Sequence, residues 1–381
     1  MRTETHGGIS AWMVALGAAA ILIFAMPARA GAIPLFAQRY QLRCEACHSV
    51  LPELNAFGIA FRQHGYRLPI PKHGTTGVAV RFQFEWENDP PAGSRRFSPA
   101  GVLLSNADIG AISAFVHYNL GAGGGPGGLF LGFLADYNAH TNSLYRLGLF
   151  ELPLPQSPGQ RLDDLAPYGF YGAHVGLNDL PLSSPRWGLQ AERTVGPVVA
   201  DLTLALGEYK GSAYGGKPVP TGESTSANSP EIGVFLRAPL TSGFEIGGNV
   251  VAGSRRIVPA GRNSFTDAYT REGFLARVNV GKFDLHAEQW MGTDQNADGF
   301  GTNTASSGGY ARLKYYLTPH AYLGIRYDAQ ATPFITRDMV YYVAFHVTPH
   351  ARLLVQEVQP MNGKAQLGAA LTVGFPWPTK L

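Results

Sequence analysis

The two cysteines of the chain stand two residues apart and are followed at once by a histidine, in the run Cys44-Glu45-Ala46-Cys47-His48. This C-x-x-C-H spacing is the attachment signature of a c-type haem. Thiols at this spacing can bond the two vinyl groups of one porphyrin, and the adjacent imidazole can bind the iron as proximal ligand. The sequence therefore predicts one covalent haem c, attached to Cys44 and Cys47 and ligated by His48.

Three other uses of a cysteine pair agree less well with the rest of the chain. A zinc site needs two further ligands of suitable spacing, and the sequence has no second C-x-x-C. A thioredoxin-type redox pair is expected beside a βαβ pattern, which is missing. A disulfide across two residues closes so short a loop that it constrains little chain entropy. Covalent haem is the interpretation that uses all three residues.

The segment after the motif predicts a helix that packs against the haem. Pro52 suits a first helical turn, and Gly65 can end the helix in the left-handed conformation. No methionine lies between residues 31 and 290, so a histidine is the expected sixth ligand. His64 is the first candidate for this distal position on the iron, and His73 is the second. Each of the two histidines is also compatible with a solvated surface position.

The first thirty residues have the features of a cleaved signal peptide. A basic residue, Arg2, precedes an apolar run from Trp12 to Met26, and Ala28-Arg29-Ala30 forms a cleavage site. The run is shorter than the roughly 20 apolar residues that a spanning helix needs. We therefore expect export, with cleavage after Ala30, and divide the rest of the chain into a monohaem segment (31–75) and a second domain (76–381).

The second domain has the alternating pattern of a transmembrane β-barrel. Between Val78 and Glu87 every even position is apolar, so one face of this strand can contact lipid. The other face is polar and is expected to line a lumen. The same alternation recurs around Phe274–Val280 and Leu367–Phe375. The expected lumen residues of the first strand are Arg81, Gln83, Glu85 and Glu87.

Turn lengths support the same architecture, an all-β antiparallel barrel preceded by a small helical segment. Tight turns such as Thr318-Pro319-His320 alternate with longer polar connections, as in outer-membrane barrels. Roughly eleven strands fit between Arg186 and Phe375 and about five between Thr76 and Leu177, so we predict about sixteen, with about fourteen as the alternative. The aromatic residues expected at the membrane interfaces are Trp86, Trp187, Trp290, Tyr315-Tyr316 and Tyr341-Tyr342.

Two further features say less about function. The run Asp294-Gln295-Asn296-Ala297-Asp298-Gly299 resembles the start of an EF-hand loop, but its twelfth position is Ala305 where a bidentate Glu is required. An external loop is the preferred interpretation, with weak cation binding as the alternative.

The formal net charge of +3 and the lack of a Lys/Arg run give no reason to expect nucleic acid as a partner.

The chain resembles a known family in two places, Pro34-Leu35-Phe36-Ala37 and Cys44-x-x-Cys47-His48-x-x-x-Pro52-x-Leu54-x-x-Phe57-Gly58-x-x-Phe61-x-x-x-Gly65-Tyr66. The family is that of outer-membrane cytochrome–porin fusions, in which a monohaem c-type segment precedes a β-barrel, and the iron-oxidising outer-membrane cytochromes typify it. The resemblance implies attachment of haem at Cys44 and Cys47, His48 as its proximal ligand, and a haem segment in or at the mouth of the barrel.

The resemblance also implies a function in the bacterial outer membrane, in contact with its lipid. Fe(II) outside the cell is the expected electron donor, and a periplasmic cytochrome or another carrier is the expected acceptor. The chain would then be an electron-transfer protein, or an Fe(II) oxidase if iron is its substrate. The alternatives are a diffusion porin with an accessory or sensory haem plug, an outer-membrane cytochrome with a non-iron partner, and a soluble periplasmic cytochrome with a β domain.

Overall fold

The structure is a computed structural model. It describes residues 34–40, 42, 44–50, 53–68, 77–90, 96–122, 127–155, 164–178, 182–208, 224–225, 230–241, 243–259, 261–332, 335–348 and 351–376. The expected signal peptide and His73 lie outside these residues. Within these ranges, no helix has the length and apolar character needed to cross a membrane.

Sixteen antiparallel strands form a closed barrel in the described part of the chain. Each strand pairs with its neighbours in sequence, and the last strand pairs with the first, so the sheet has no free edge. A two-residue strand, Ser224–Thr225, also pairs with β9. The strands are β1 (Gly77–Glu87), β2 (Phe97–Ile109), β3 (Ile112–Ala122), β4 (Gly128–Asn138), β5 (Ser143–Phe150), β6 (Arg186–Val195), β7 (Val198–Glu208), β8 (Glu231–Thr241), β9 (Phe244–Val258), β10 (Phe265–Val280), β11 (Phe283–Asp294), β12 (Thr304–Thr318), β13 (Ala321–Ala331), β14 (Ile335–Thr348), β15 (Ala351–Pro360) and β16 (Gln366–Pro376).

The alternating pattern of the sequence is the alternation between the two faces of this barrel. On β1, Phe82, Phe84 and Trp86 are exposed on the outer face, whereas Arg81 is buried inside. In water an outer face of this kind would be unfavourable, but lipid is its natural solvent. The barrel is therefore a membrane-spanning one, and a polar interior containing Arg81 is confirmed.

The two ends of the barrel differ in the length of their connections. At one end the turns are short, for example Gly281–Lys282 between β10 and β11. At the other end lie the long connections, including residues 209–230 between β7 and β8. Short turns of such barrels face the periplasm and long loops face outward. By this rule, the first residue of β1 and the last residue of β16 both lie at the periplasmic end.

The predicted strand count is confirmed, with five strands between Gly77 and Phe150 and eleven between Arg186 and Pro376. The predicted strand region to Leu177 was too long, however. After Phe150 the chain leaves the wall and forms a connection, residues 151–185, which contains one 3₁₀ helix (Gly169–Gly172). Its described parts lie inside the barrel. We call this connection the inner loop.

Three of the expected interfacial aromatics, Trp290, Tyr316 and Tyr342, lie in the lumen instead. Trp86 and Trp187 are exposed on the outer face, at 43% and 45%, as predicted. Trp290 is only 3% exposed and belongs to the cluster of apolar side chains packed inside the barrel, so its assignment to the membrane interface was wrong. The pair Tyr341-Tyr342 divides between the faces, because consecutive strand residues point to opposite sides. Tyr341 is exposed and Tyr342 is buried.

Candidate functional site

The residues around the C-x-x-C-H motif fold into three short helices and a two-stranded hairpin. The helices are α1 (Pro34–Tyr40), α2 (Cys44–Cys47) and α3 (Ala56–Gln63), and the hairpin pairs His48–Val50 with Glu53–Leu54. We call residues 34–68 the N-terminal segment. Of Cys44 and His48 the structure describes the backbone, which lies in α2 and at the start of the hairpin.

Helix α3 braces the motif through its first turn. The Asn55 side chain accepts a hydrogen bond from the Gly58 N–H at 2.9 Å and donates one to the Ala46 carbonyl at 3.0 Å. The Asn55 N–H donates to the carbonyl of Cys47 at 2.9 Å. Asparagine is a preferred N-cap, and here it joins the cap of one helix to the turn of another. The backbone of the cysteine pair is therefore fixed relative to α3.

The predicted start of this helix was wrong, whereas its predicted end is confirmed. Glu53 lies in the hairpin, and the helix begins only at Ala56, because the Asn55 cap sets its first turn. At the other end Gly65 has a φ of +65°, the left-handed conformation expected of a residue that ends a helix. The backbone then continues to Arg67 along the barrel wall.

The N-terminal segment is seated on the inner face of the barrel through aromatic rings. Phe36 of α1 stacks on Tyr66 at 4.9 Å between ring centroids and meets Phe61 of α3 edge-on at 5.1 Å. Tyr66 in turn stacks on Phe115 of β3 at 5.3 Å. Leu35 of α1 packs among buried apolar residues of β1 and β2. Aromatic pairs of this kind each contribute about 0.5–1.5 kcal/mol beyond burial of area.

An acidic residue of the barrel, Asp108, receives two arginines of the segment. Asp108 Oδ2 lies 2.9 Å from Arg39 Nη2 and 3.7 Å from Arg67 Nε. Arg39 also donates to the Asn106 side chain, and Arg67 donates to the carbonyl oxygens of the turn Gly110–Ala111. This turn is one of the short ones. The segment therefore occupies the periplasmic end of the lumen.

His64 lies at the C-terminal end of α3, with its ring stacked on Tyr137 of β4 at 4.2 Å between centroids. Burial lowers the pKa of the His64 imidazole, which favours the neutral form, the form that binds iron. Its assignment as distal ligand stays a prediction.

A second imidazole, which the sequence analysis did not single out, faces the lumen beside the same segment. His117 of β3 is 3% exposed and meets Phe130 edge-on at 4.9 Å, and its Nε2 has no hydrogen-bond partner among the described residues. Its position in an alternating strand was the available signal, because the side chains at every second position of β3 point inward. A buried imidazole nitrogen without a partner is energetically unfavourable unless a ligand completes it.

The inner loop is held to the opposite wall by Arg326 of β13. The Arg326 guanidinium donates to Asp164 at 2.7 Å and to the carbonyl oxygens of Ala166 and Pro167, and lies 3.9 Å from the centroid of the Tyr168 ring. The guanidinium is fully buried. Gln356 of β15 accepts hydrogen bonds from the N–H groups of the loop at 2.8 and 3.2 Å. These contacts fix residues 164–168 of the loop.

Further along the loop, two polar side chains join it to β10 and β11. Tyr171 donates a hydrogen bond of 2.5 Å to Glu288, which also accepts one from the Trp290 indole at 2.8 Å. Asn178 donates to Asp267 at 2.7 Å and to Asp294 at 3.0 Å. The loop therefore crosses the lumen and is fastened to the wall at both ends of residues 164–178, which narrows the lumen.

The EF-hand-like run folds as an external loop whose carboxylates have partners within the protein. Asp294 pairs with Arg271 at 2.8 Å, and Asp298 accepts hydrogen bonds from the Phe300 N–H and the Thr302 hydroxyl. These hydrogen bonds lower the pKa of Asp298. In the part of the chain that the structure describes, no three His, Cys, Asp or Glu side chains are grouped as a metal ion would need. The preferred interpretation as an external loop agrees with this geometry.

The donors around the motif are suited to a covalent haem. The turn of α2 is held by Asn55, the helices before and after it pack aromatic rings on each other, and imidazoles lie at His64 of the N-terminal segment and His117 of the barrel wall. Planar, apolar surroundings and imidazole ligands are what a porphyrin and its iron require. The described residues therefore fit the cofactor that the C-x-x-C-H spacing predicts.

Comparison with solved structures shows the barrel of outer-membrane porins. The chain is similar to the outer membrane channel DcaP of Acinetobacter baumannii, with a TM-score of 0.53 and 10% identity over 78% of this chain and 96% of that chain. It is also similar to the anion-selective porin from Comamonas acidovorans (0.54, 10%, 79% and 99%) and to Salmonella typhi OmpF in complex with daunomycin (0.55, 10%, 78% and 97%). At such identities the likeness concerns the fold.

No protein-family model matches the chain, and no curated protein matches it in sequence. The class is nevertheless defined by its fold: a porin-like, sixteen-stranded barrel of the bacterial outer membrane, in contact with lipid.

Proposed function

We propose that this barrel carries one covalent haem c at the periplasmic end of its lumen and transfers electrons across the outer membrane. The observation that carries the proposal is the position of the C-x-x-C-H motif. The helices on both sides of the motif, α1 and α3, pack on the inner wall of a membrane-spanning barrel. A haem there is enclosed by protein within an insulating bilayer, while a donor and an acceptor can approach from opposite ends of the lumen.

In this proposal Cys44 and Cys47 attach the porphyrin, and His48 is the proximal ligand. The haem supplies the one-electron chemistry, and the chain supplies position and shielding. Asn55 holds the motif in place, and the rings of Phe36 and Phe61 exclude water from this part of the lumen. His64 is the predicted distal ligand, and His117 of the barrel wall is a second candidate.

Fe(II) is the proposed electron donor outside the cell, with a periplasmic cytochrome or a similar carrier as acceptor. The resemblance of residues 34–66 to the iron-oxidising cytochromes supports this choice. Carboxylates inside the lumen, such as Glu85 and Glu87 of β1, can bind a hard cation transiently, although lining water is the ordinary role of such residues. A donor other than iron remains the alternative within this function.

Passive diffusion is the second candidate function, with the haem as an accessory or sensory plug. Its specific support is that the solved structures of the same fold include a channel and an anion-selective porin. Against free diffusion stand the N-terminal segment at one end of the lumen and the inner loop across it.

The test is an absorption spectrum of the detergent-solubilised full-length protein, recorded before and after anaerobic addition of Fe(II). We expect sharp α and β bands after Fe(II), which mark a reduced low-spin c-type haem. A haem that dithionite reduces and Fe(II) does not would retain the haem barrel and overturn the choice of iron. A protein without covalent haem would overturn the electron-transfer function and leave the porin.

Two single substitutions identify the distal ligand in the same preparation. Loss of the sixth ligand converts a low-spin haem to a high-spin one, with a characteristic change of the oxidised spectrum. His64→Ala produces this change if the prediction is correct, and His117→Ala produces it if the barrel wall supplies the ligand.

Uptake of a small sugar into proteoliposomes containing the protein measures the second candidate function, passive diffusion, directly.

A further inference from the structure

The outer face of the barrel has a groove on a side where a closed wall is expected to be convex. The groove crosses the seven strands from β3 to β9 and has a volume of about 1150 Å³. Six interstrand spacings of about 4.8 Å make it about 29 Å long. Exposed leucines of four successive strands line it, Leu134, Leu147, Leu189 and Leu204. The groove therefore lies on the surface that the bilayer covers.

Glycines give the groove its depth. Gly132 of β4, Gly148 of β5 and Gly188 of β6 line it, and Gly148 is paired directly with Gly188. A Cβ on Gly148 would collide with the Gly132 carbonyl oxygen, and a Cβ on Gly188 would collide with that of Leu204. Neither position accepts a side chain without a shift of the strands. The groove is therefore built into the wall.

The lining of the groove is apolar. Glu231 is the one charged residue that contributes to it, and the Glu231 carboxylate is buried in the barrel, where it is ion-paired with Arg186. The other lining side chains are hydrocarbon, apart from Ser254 and the indole of Trp187. A ligand of the groove is thus expected to be a hydrocarbon chain.

A positive charge lies at the external end of the groove. Arg256 is exposed on β9, two positions beyond Ser254, and donates a hydrogen bond to Ser264 at 3.0 Å. It stands twelve positions after Phe244, the first residue of β9. This is a rise of about 30 Å along the membrane normal for a strand tilted by about 40°. Because the apolar band of such a barrel is about 25 Å tall, Arg256 lies at the level of the lipid headgroups.

We propose that the groove binds one acyl chain of an outer-leaflet lipid whose phosphate lies against Arg256. The external ends of the strands face the outer leaflet in the orientation assigned above. One leaflet is half of a hydrocarbon core about 30 Å thick, so the groove is long enough for a whole chain. Lipid tails are as apolar as leucine, so selectivity comes from close packing in the groove and from the charge of Arg256.

A second copy of this chain fits the groove less well. A two-fold contact places the same patch of both subunits face to face, and two concave surfaces leave a gap between them. A flexible chain of methylene groups, by contrast, follows a curved groove. The inference does not depend on the haem, because the groove lies on the outside of the barrel.

Quenching of tryptophan fluorescence by brominated acyl chains tests the proposal. Trp187 lines the groove, whereas Trp86 is exposed on the outer face of β1, outside it. The full-length protein is placed in phosphatidylcholine vesicles that contain increasing fractions of phosphatidylglycerol with brominated chains. Subtracting the signal of Trp187→Phe or Trp86→Phe gives the contribution of each tryptophan. We expect half-maximal quenching of Trp187 at a fraction about fivefold lower than for Trp86, the preference that one arginine gives for an anionic headgroup.

Separate substitutions address the chain and the headgroup. Ala252→Leu and Gly132→Val fill the groove, and a Cβ on Gly132 meets only the Leu129 side chain, at 3.3 Å. Arg256→Gln removes the charge. Each should raise the fraction needed for Trp187 to that needed for Trp86. Ala311→Leu is the matched control and should behave as the native protein, since Ala311 is exposed on β12, outside the groove.

Three results would overturn the proposal. The first is equal fractions for Trp187 and Trp86 in the native protein, and the second is native quenching in both Ala252→Leu and Gly132→Val. The third is an oligomer in detergent, measured by light scattering, that Ala252→Leu dissociates, because the occupant would then be a second copy. Heat-modifiable gel mobility verifies that each variant forms the barrel. The absorption spectrum separately decides whether the protein carries haem.

Discussion

Arg326 is the residue on which the position of the inner loop depends most. Its fully buried guanidinium binds two carboxylates, Asp164 of the loop and Asp328 of its own strand, each at 2.7 Å. Replacing it by leucine leaves both carboxylates buried without their partner, a change that typically costs about 3–5 kcal/mol. We expect Arg326→Leu to release the loop while the surrounding strands remain paired, because their ladder does not include this side chain.

Limited proteolysis with chymotrypsin measures this release. Tyr168, Phe170 and Tyr171 of the loop are buried in the native barrel and should be resistant to cleavage. In Arg326→Leu we expect cleavage within the loop, whereas Arg256→Leu, which removes an exposed arginine of β9, should be as resistant as the native protein. Equal resistance of all three proteins would contradict the role assigned to Arg326.

Asp108 has the corresponding role for the N-terminal segment. Asp108→Asn removes the negative charge that Arg39 and Arg67 share, and the loss of such charge-assisted bonds costs about 2 kcal/mol. The segment should then leave the lumen part of the time. We expect single-channel conductance in planar bilayers to show more frequent or larger open states than the native protein.

Asp136→Asn is the control for this measurement. Asp136 is an exposed acidic residue of β4 and lies at the same end of the barrel as Asp108. It changes the net charge equally without touching the segment. Identical conductance of Asp108→Asn and Asp136→Asn would show that the segment is held by its apolar contacts alone, chiefly Leu35 and Tyr66.

At the scale of elements, the contact between α2 and α3 is tight enough to require glycine at position 58. A Cβ placed on Gly58 would lie 2.1 Å from the Cys47 carbonyl oxygen and 2.8 Å from the Leu54 side chain. Gly58→Ala must therefore push α3 away from the turn that carries the cysteines. We expect the fraction of protein with covalent haem to fall severalfold, measured as haem absorbance per amount of purified barrel.

Ala60→Ser serves as control for Gly58→Ala, because Ala60 is on the same helix and is only partly buried. It should retain the haem content of the native protein. If Gly58→Ala also retains it, the α2–α3 contact is not needed during haem attachment.

The elements themselves were predictable to different degrees. The strands were found because lipid contact on one side forces every second side chain of β1, such as Phe82 and Phe84, to be apolar. The first turn of α3 was placed too early, because a cap at Asn55 competes with Pro52 for the start of the helix. The C-x-x-C-H motif was evident from spacing alone, whereas Arg326 and Asp108 gave no signal.

The reason for those omissions is that both residues act across long sequence distances. Arg326 contacts the loop some 160 positions earlier in the chain, and Asp108 contacts Arg39 of another element. An inward polar residue of a barrel strand has the same local pattern whether it lines water or binds a plug. The prediction for Trp290 failed for the same reason. Its side chain points into the lumen, and its surroundings there are apolar because side chains of the inner loop pack against it.

At the scale of the whole molecule, the N-terminal segment and the inner loop enter the lumen from opposite ends of the barrel. The N-terminal segment contacts the short turn Gly110–Ala111, and the inner loop belongs to the set of long connections. If short turns face the periplasm, a haem on the segment is reached by periplasmic carriers directly, whereas an external donor reaches it past the inner loop. The orientation of the barrel thus determines the direction in which each partner must approach.

Insertion of a short epitope at two positions measures this orientation in intact cells. We expect an epitope between Gly299 and Phe300, in the long connection after β11, to bind antibody on intact cells, because Phe300 is 72% exposed there. An epitope between Gly281 and Lys282 should bind only after the outer membrane is permeabilised. Both insertions lie at tips outside the strands, so heat-modifiable mobility should remain native. The reverse pattern would place the N-terminal segment at the cell surface, and the haem would then meet its external donor directly.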